Sequence, residues 1–189
     1  MFTVLIAVGI ILLILIIILI VFVLIYNKFQ VLKNGAEAGL SQIKVALKKR
    51  LDMISQLVQV VKGYSKFEKN VMENITKMRS LVGQNITTSE IDKINIDSKN
   101  ILERILAVVE NYPDLKASKN FMDLMDAIKD VENEISRQRY TYNNIIQEYN
   151  TRLGVIPSNF VAKMLSYKKL EYLQFEENVN DKPELGLRH

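Results

Sequence analysis

Four carboxylates in the second half of the chain have a spacing that could bind a cation. They recur at steps of three and four residues, at Asp123, Asp126, Asp130 and Glu134. On a helix this spacing places them on one face, where their oxygens could hold a hard cation or a basic partner. They fall outside the apolar register of the same segment. The pattern therefore favours a solvated helix face.

The sequence lacks the residues of the common nucleophilic and metal-dependent catalytic sites. It contains no cysteine and a single histidine, His189, which is its last residue. A Ser–His or Cys–His nucleophile pair and a tetrahedral zinc site both need such residues, and a di-iron bundle site needs Glu-x-x-His pairs. There is no Gly-rich phosphate loop and no EF-hand pattern. The sequence predicts no enzyme, no metal, no cofactor and no small-molecule substrate.

Positive charge is concentrated in one part of the chain. The formal net charge is +4, and residues 27–62 hold seven basic residues against Glu37 and Asp52. The rest of the chain is nearly balanced, which argues against a nucleic-acid partner. The densest part of the basic segment is Lys48, Lys49 and Arg50. A solvated helix face is the favoured interpretation, and a partner-binding surface is the alternative.

A patch of small residues lies within this basic segment, before Lys48. Gly35 and Gly39 lie beside Ala36 and Ala38 in an otherwise helical pattern. Isolated glycines in such a pattern usually allow close packing against a neighbouring helix. The alternatives are a hinge and a contact between copies of the chain.

These residues follow a long segment without charge. Residues 2–25 contain no charged side chain. As a helix they would extend about 36 Å, longer than the ~30 Å hydrocarbon core of a bilayer. A signal peptide would have a shorter apolar run after a basic start, and a core helix of a soluble domain would have a polar face. We therefore predict a transmembrane anchor at residues 1–26.

The lysines beyond this anchor predict its orientation. Lys28 and Lys33 follow the apolar run, and further basic residues come after them, whereas none precedes it. Basic flanks resist translocation. We expect a single-pass protein of the cell membrane with its N-terminus outside and its C-terminal domain in the cytoplasm.

The remainder of the chain has the apolar spacing of helices. The first soluble helix has inward positions that step by four and three, as in a coiled-coil seam: Ala36, Leu40, Ile43, Leu47, Leu51, Ile54, Val58 and Val61. No proline separates this seam from the anchor. The anchor and the first soluble helix could therefore be one continuous helix, with Gly35 and Gly39 as the only places where it could bend; the sequence leaves this open.

Three further long helices and a short one are predicted. The second runs from near Ser65 to Leu81, with Val71, Ile75, Met78 and Val82 inward. The third is capped by Ser89 and carries Ile91, Ile94, Ile101, Ile105 and Val108. The fourth begins after Ser118 and ends at Gly154, with Phe121, Leu124, Ile128, Val131, Ile135, Gln138, Tyr142, Ile145, Tyr149 and Leu153 inward. A short last helix is capped by Ser158 and extends through Tyr167 and Leu170.

Seams of this length predict an all-α fold. We expect the single transmembrane helix to be followed by an elongated antiparallel four-helix bundle. The domain boundaries are the anchor at 1–26, the bundle at 27–172 and a flexible C-terminal tail at 173–189.

Specific residues also resemble a known family. In the first half of the chain they are Ser41-Gln42-Ile43, Lys49-Arg50 with Asp52, Leu57-Val58 and Val61 to Tyr64. In the second half they are Tyr112 to Ala117, Phe121, Leu124, Glu132, Ile135, Arg139, Tyr142-Asn143, Tyr149-Asn150, Pro157, Asn159 and Ala162. This combination is similar to the LemA family over residues 26–165. Leu40 stands where the family usually has tryptophan, and Ile156 stands where phenylalanine commonly precedes the proline. Both departures stay apolar.

The resemblance implies one N-terminal span and a cytoplasmic antiparallel helical bundle. It brings no catalytic residues. Members are often found beside membrane proteases and other envelope proteins, and one branch is associated with magnetosome membranes.

Two functions are consistent with these observations. The first is a non-enzymatic scaffold, anchored in the lipid bilayer, that binds cytoplasmic partners or copies of itself. The second is a regulatory or accessory subunit of a membrane enzyme such as a protease, which it contacts through the basic first helix. The residues expected to make such contacts are Gly35, Gly39, Lys48, Lys49 and Arg50.

Overall fold

A computed structural model describes residues 1–63, 69–84 and 86–174, with only the backbone of Lys69. All regular structure in these ranges is helical, and they contain no strand. The helices are α1 (Phe2–Lys62), α2 (Lys69–Val82), α3 (Thr88–Val109), α4 (Pro113–Lys116), α5 (Lys119–Gly154) and α6 (Ser158–Met164). The predicted all-α class and the single long apolar N-terminal helix are confirmed. The sequence leaves open whether the anchor and the first soluble helix are continuous, and in the structure both belong to α1, which has no break.

The described residues divide into two compact units. Unit 1 consists of residues 1–42 and 138–172, and unit 2 consists of the described residues within 43–137 together with Leu173 and Gln174.

Unit 1 contains the first part of α1, the last part of α5 and α6. The two long helices are antiparallel, because Lys28 meets Glu148 whereas Gly39, farther along α1, meets Tyr142. The core of the unit comprises Phe29, Leu32, Tyr149 and Ala162. Ile25, Ile145, Leu153, Tyr167 and Leu170 pack against this core.

Unit 2 contains four long helical segments, as the seams predict. They are the second part of α1, α2, α3 and the first part of α5, with the short α4 between the last two. The inward positions predicted for α1 in this unit and for α2 are all buried. They are Ile43, Leu47, Leu51, Ile54, Val58 and Val61 on α1 and Val71, Ile75, Met78 and Val82 on α2. The predicted start of the second helix at Ser65 lies outside the described residues.

Two of the predicted helix caps are wrong. The N-cap of α3 is Thr87, whose hydroxyl accepts from the backbone N–H of Glu90 while the Glu90 carboxylate accepts from the backbone N–H of Thr87. This reciprocal capping box starts the helix before Ser89. Ser158 is the first residue of α6 rather than its cap, and its hydroxyl donates to the carbonyls of Arg152 and Val155. The predicted Ser118 cap is confirmed, because its hydroxyl accepts from the N–H of Phe121.

Three inward positions are shifted by one residue. Val109 rather than Val108 is buried on α3, and on α5 the fully buried positions are Arg139 and Ile146 rather than Gln138 and Ile145. A straight helix has 3.6 residues per turn, so its buried stripe drifts away from a strict seven-residue repeat.

The residues after Tyr172 do not begin as a free tail. Leu173 is buried, and the backbone N–H of Gln174 donates to the Asp92 carboxylate at 2.8 Å. These contacts secure the first two residues of the segment that the sequence assigns to a flexible tail. The remainder of that segment, 175–189, lies outside the described residues.

Candidate functional site

The first part of α1 has the properties of a membrane-spanning helix. It contains an 18-residue window with a mean hydropathy of 3.9, and none of that window is buried in the protein. The side chains of residues 1–21 are all exposed. In water this would be a large uncovered apolar surface, whereas in a bilayer the lipid chains cover it. These are the features of a membrane protein.

The two glycines of the small-residue patch face α5 inside unit 1. A Cβ atom added at Gly35 would lie 3.6 Å from the Ile145 side chain, and one added at Gly39 would lie 3.7 Å from that of Tyr142. Gly39 is buried and Gly35 is half-buried. The interpretation of the patch as packing against a neighbouring helix therefore has direct support. Its role in hinge motion or contact between copies stays a prediction.

The basic cluster of α1 separates into two parts with different environments. Lys48 and Lys49 are exposed, whereas Arg50 is 1% exposed. The prediction that Arg50 belongs to a solvated face is wrong. The physical reason is helical spacing: Arg50 lies three residues after Leu47 and four before Ile54, so it points to the same side as the seam.

Arg50 occupies the centre of a polar cluster inside unit 2. Its guanidinium forms an ion pair with Glu132 of α5 and donates to the Ser98 hydroxyl and, at 2.8 Å, to the Asn95 carbonyl of α3. Lys99 adds a second cation 3.3 Å from Glu132. One side chain thus joins three helices.

The chemistry of this cluster explains why arginine is used. A buried charge is stable only when it is paired and hydrogen-bonded, and a guanidinium offers five donors in a fixed plane. The ammonium group of lysine is a compact point charge without that planar fork of donors. Sequence reasoning missed the cluster because it grouped Arg50 with its neighbours in sequence rather than with residues three and four positions away.

A groove of about 450 Å³ lies between α2 and α3 in unit 2. Its walls carry both signs of charge, from Lys77, Lys93 and Arg104 on one hand and Glu90 and Asp97 on the other. Met78, Leu81, Ile94 and Ile101 supply its apolar floor. The groove shows no convergence of nucleophile, base and orienting residue.

The predicted carboxylate stripe of α5 lies in unit 2. Asp123, Asp126 and Asp130 are exposed, and Glu134 is half-buried. Across the described ranges no group of three or more His, Cys, Asp or Glu side chains is arranged to hold a metal ion. The carboxylates therefore belong to a water-facing surface of the helix.

An aromatic cluster in unit 1 follows the apolar part of α1. The Phe29 ring contacts Tyr149 at 5.4 Å and Tyr167 at 5.1 Å between centroids, both edge to face. The Tyr167 hydroxyl accepts from the Gln30 amide at 2.8 Å. Burial raises the pKa of Tyr149, with a smaller contribution from Tyr167. This cluster attaches α5 and the segment after α6 to the helix that leaves the membrane.

An ion-pair cluster lies beside the aromatic rings. The Glu148 carboxylate is 3.0 Å from Lys28 of α1 and 3.0 Å from Arg152 on its own helix. The hydrogen bond from Lys28, and then that from Arg152, lower the pKa of Glu148. Because these side chains are about two-fifths exposed, the pairs are weaker than the contacts of Arg50.

Similarity to known proteins identifies the family of this chain. The model of the LemA family matches residues 39–186, which is most of the chain. The chain belongs to the LemA family. The resemblance identified from individual residues is thereby confirmed.

Individual relatives are similar over most of their length. Magnetosome protein MamQ 2 of Paramagnetospirillum magneticum is 23% identical over 184 residues, covering 84% of this chain and 67% of the relative. Magnetosome protein MamQ of Magnetospirillum gryphiswaldense is 22% identical with the same coverage. Protein LemA of Metamycoplasma hominis is 27% identical over 156 residues, covering 80% of this chain and 69% of the relative.

Proposed function

We propose that this LemA-family protein is a non-enzymatic membrane-anchored scaffold that presents its helical units to partner proteins or to further copies of itself. The observation that carries the proposal is α1, whose exposed apolar part continues unbroken into both packed units. A helix that continues without a loop restricts the motion of unit 1 relative to the bilayer. Fixed presentation of a surface suits a binding protein.

The proposed orientation places the helical units in the cytoplasm. Lys28 and Lys33 follow the apolar run directly, and both lie in the part of α1 that belongs to unit 1. Basic residues close to the end of a span favour the cytoplasmic side.

A cysteine-labelling experiment tests the anchor and the orientation together. The native chain has no cysteine, so Phe2→Cys and Lys49→Cys each introduce one exposed thiol. In intact cells we expect a membrane-impermeant maleimide to label Phe2→Cys, and to label Lys49→Cys only after permeabilisation. The reverse pattern would overturn the orientation. Recovery of the full chain in the soluble fraction would overturn the anchor.

The surface proposed to bind a partner is the outer face of α1 in unit 2. It comprises Val45 with Lys48 and Lys49, which lie three and four residues after it, and all three are exposed. Val45 is 67% exposed, an apolar side chain between solvated charges. We call these three residues the α1 outer face.

Photo-crosslinking in intact membranes tests the scaffold proposal. A photoreactive amino acid in place of Val45 should give a covalent adduct of reproducible mass, and Lys48→Glu with Lys49→Glu should abolish it. The matched control is Lys129→Glu, which reverses an exposed lysine elsewhere in unit 2 and should leave the adduct unchanged. If probes at Val45 and at exposed Met122 recovered only uncrosslinked chain, the scaffold function would be wrong.

A second function, as accessory subunit of a membrane enzyme, is favoured by the two exposed lysines of the α1 outer face. In that case the Val45 adduct contains a different membrane protein, and the charge reversals alter its activity as well as its association. An adduct between two copies of this chain would support self-assembly instead.

A further inference from the structure

Four large apolar side chains are uncovered where α5 turns into α6. Val155 is 46% exposed, Ile156 76%, Phe160 65% and Met164 64%. They fall within ten residues of one another, at a helix corner that belongs to unit 1. We call residues 155–164 the α5–α6 corner. An exposed apolar cluster of this kind is typical of a surface that binds a membrane or another protein.

The short helix α6 has two distinct faces. Ser158, Val161 and Ala162 are buried against unit 1. Phe160 and Met164 lie four residues apart on the opposite side, together with Lys163, which is also exposed. The uncovered face is therefore amphipathic in the manner of helices that lie at a membrane surface.

The position of the corner along α1 follows from the antiparallel contacts of unit 1. Glu148 and Tyr149 meet Lys28 and Phe29. Because the two helices are antiparallel, residues of α5 that lie five to seven positions after Glu148 are level with residues of α1 that lie five to seven positions before Lys28. Those residues of α1 lie in the last turns of the apolar run. Two observations agree with this placement. Leu153 and Ile25 pack on the same cluster, and Phe22 is the first residue of α1 that is partly covered. The corner thus lies level with the end of the membrane-spanning segment.

All charged residues around the α5–α6 corner are basic. Residues 151–170 contain Arg152, Lys163, Lys168 and Lys169 and no acidic residue. The three lysines are exposed. Lysine side chains near an apolar surface extend their ammonium groups toward the headgroup region, where each attracts anionic lipid.

We propose that the α5–α6 corner is a second membrane contact, in which Ile156 and Phe160 enter the interfacial layer of the bilayer that α1 spans. Lys163, Lys168 and Lys169 then bind the phosphates of anionic lipid headgroups. The inference rests on the proposed membrane anchoring of α1. Unit 1 would be attached to the bilayer at two places, the span and the corner.

Fluorescence quenching by lipids tests the contact in the full chain. Single thiols are introduced by Ile156→Cys and Phe160→Cys, labelled with an environment-sensitive dye, and reconstituted in bilayers that carry a quencher near the top of the acyl chain. Tyr140→Cys is the matched control, because this side chain is 64% exposed on α5 of the same unit but lies far from the end of the span. Leu13→Cys, measured with a quencher at the end of the acyl chain because this residue lies in the middle of the apolar run, reports whether α1 itself is in the bilayer.

The proposal expects dyes at 156 and 160 to be quenched severalfold more than the dye at 140. Equal, weak quenching at 140, 156 and 160, with strong quenching at 13, would overturn the corner contact and leave the anchor intact. Absence of quenching at 13 would overturn the anchor. Blue-shifted emission at 160 without lipid quenching would show a protein partner or a second copy at the corner, and would also overturn the proposal.

Lipid charge provides a second measurement. Bilayers of neutral lipid should give weaker quenching at 160 than bilayers containing about one-third anionic lipid, because anionic headgroups attract the lysines. Replacement of Lys163, Lys168 and Lys169 by glutamine should remove that difference. Replacement of Lys44, Lys48 and Lys49, which lie in unit 2, should leave it unchanged. The same lipid dependence in both triple variants would show that the three lysines do not bind the headgroups.

Discussion

The two units use the same pair of helices in different ways. In unit 1, α1 meets α5 through Gly35 and Gly39, which face Ile145 and Tyr142 at van der Waals distance. In unit 2, Arg50 of α1 extends a long charged side chain to Glu132 of α5 and to α3. Small residues allow close packing of two helices, whereas a buried guanidinium joins three helices at one point.

This difference shows how a continuous helix can serve two environments. The portion next to the membrane packs its glycines against α5, and its Phe29 ring against Tyr149 of α5 and Tyr167 after α6. The portion in unit 2 has helices on more than one side, so a multivalent donor can satisfy several acceptors. Substitutions in the two portions should therefore change the free energy of unfolding for different physical reasons.

The largest expected effect is loss of the buried guanidinium. Arg50→Ala leaves a cavity and removes the donor to the buried Ser98 hydroxyl and the Asn95 carbonyl, whereas Glu132 is one-third exposed and keeps Lys99. The cavity and the unsatisfied buried acceptors together cost about 2–4 kcal/mol. Urea unfolding of the full chain in detergent micelles, followed by circular dichroism, measures the change. Lys49→Ala is the control and should lie within about 0.5 kcal/mol of the native protein, because its side chain is exposed. Equal losses in both variants would contradict the buried role of Arg50.

Close packing in unit 1 predicts opposite signs for two substitutions of one glycine. Gly39→Leu should lose about 1–3 kcal/mol because it overfills the contact with Tyr142. Gly39→Ala places its methyl group at an ordinary distance of 3.7 Å and should gain about 0.5–1 kcal/mol through helix propensity. Hydrogen exchange of unit 1 peptides measures both. Loss of stability in the alanine variant would favour the hinge interpretation over the packing one.

The cap of α3 should contribute less than either of these contacts. Thr87→Ala removes the hydroxyl that accepts from the Glu90 N–H, and loss of such a cap costs about 1 kcal/mol. Ser89→Ala is the matched control, since this residue lies inside the helix and should change little. Amide exchange in the first turn of α3 distinguishes the two. Faster exchange in the Ser89 variant would show that Ser89 caps α3, as the sequence alone suggests.

The smallest expected effect is a pH dependence from the ion pairs of unit 1. Lys28 and Arg152 lower the pKa of Glu148 in the folded protein below its ordinary 4.5. Their stabilisation is thus fully present above that value and disappears as the pH falls through the lower folded pKa. Because the side chains are partly exposed, the contribution is about 0.5 kcal/mol.

Thermal unfolding of Glu148→Gln at several pH values measures this contribution. The variant should be less stable than the native protein near neutral pH and equal to it in strong acid. Glu37→Gln, an exposed carboxylate of the same unit, should show no such change. A native protein that gained stability on acidification through this range would contradict the sign.

Periodicity determined much of the architecture from sequence alone. Apolar spacing predicts the uncharged run at 2–25, the seam of α1 and the inward residues of α2. Residues three and four positions apart lie on the same face of a helix, so the apolar ones share the buried face. The cap at Ser118 follows from local hydrogen bonding, which involves residues close in sequence. The family was also identifiable, because its characteristic residues lie at definite places on these helices.

Tertiary structure decided the environment of particular polar side chains. Spacing places Arg50 on the seam side of α1, but its pairing with Glu132 depends on a helix that is distant in sequence, and so does the apposition of Gly39 with Tyr142. The corner at 155–164 lies level with the end of the apolar run only because α5 returns antiparallel to α1. Sequence spacing specifies which side of a helix a residue occupies, but only packing between helices specifies what that side meets.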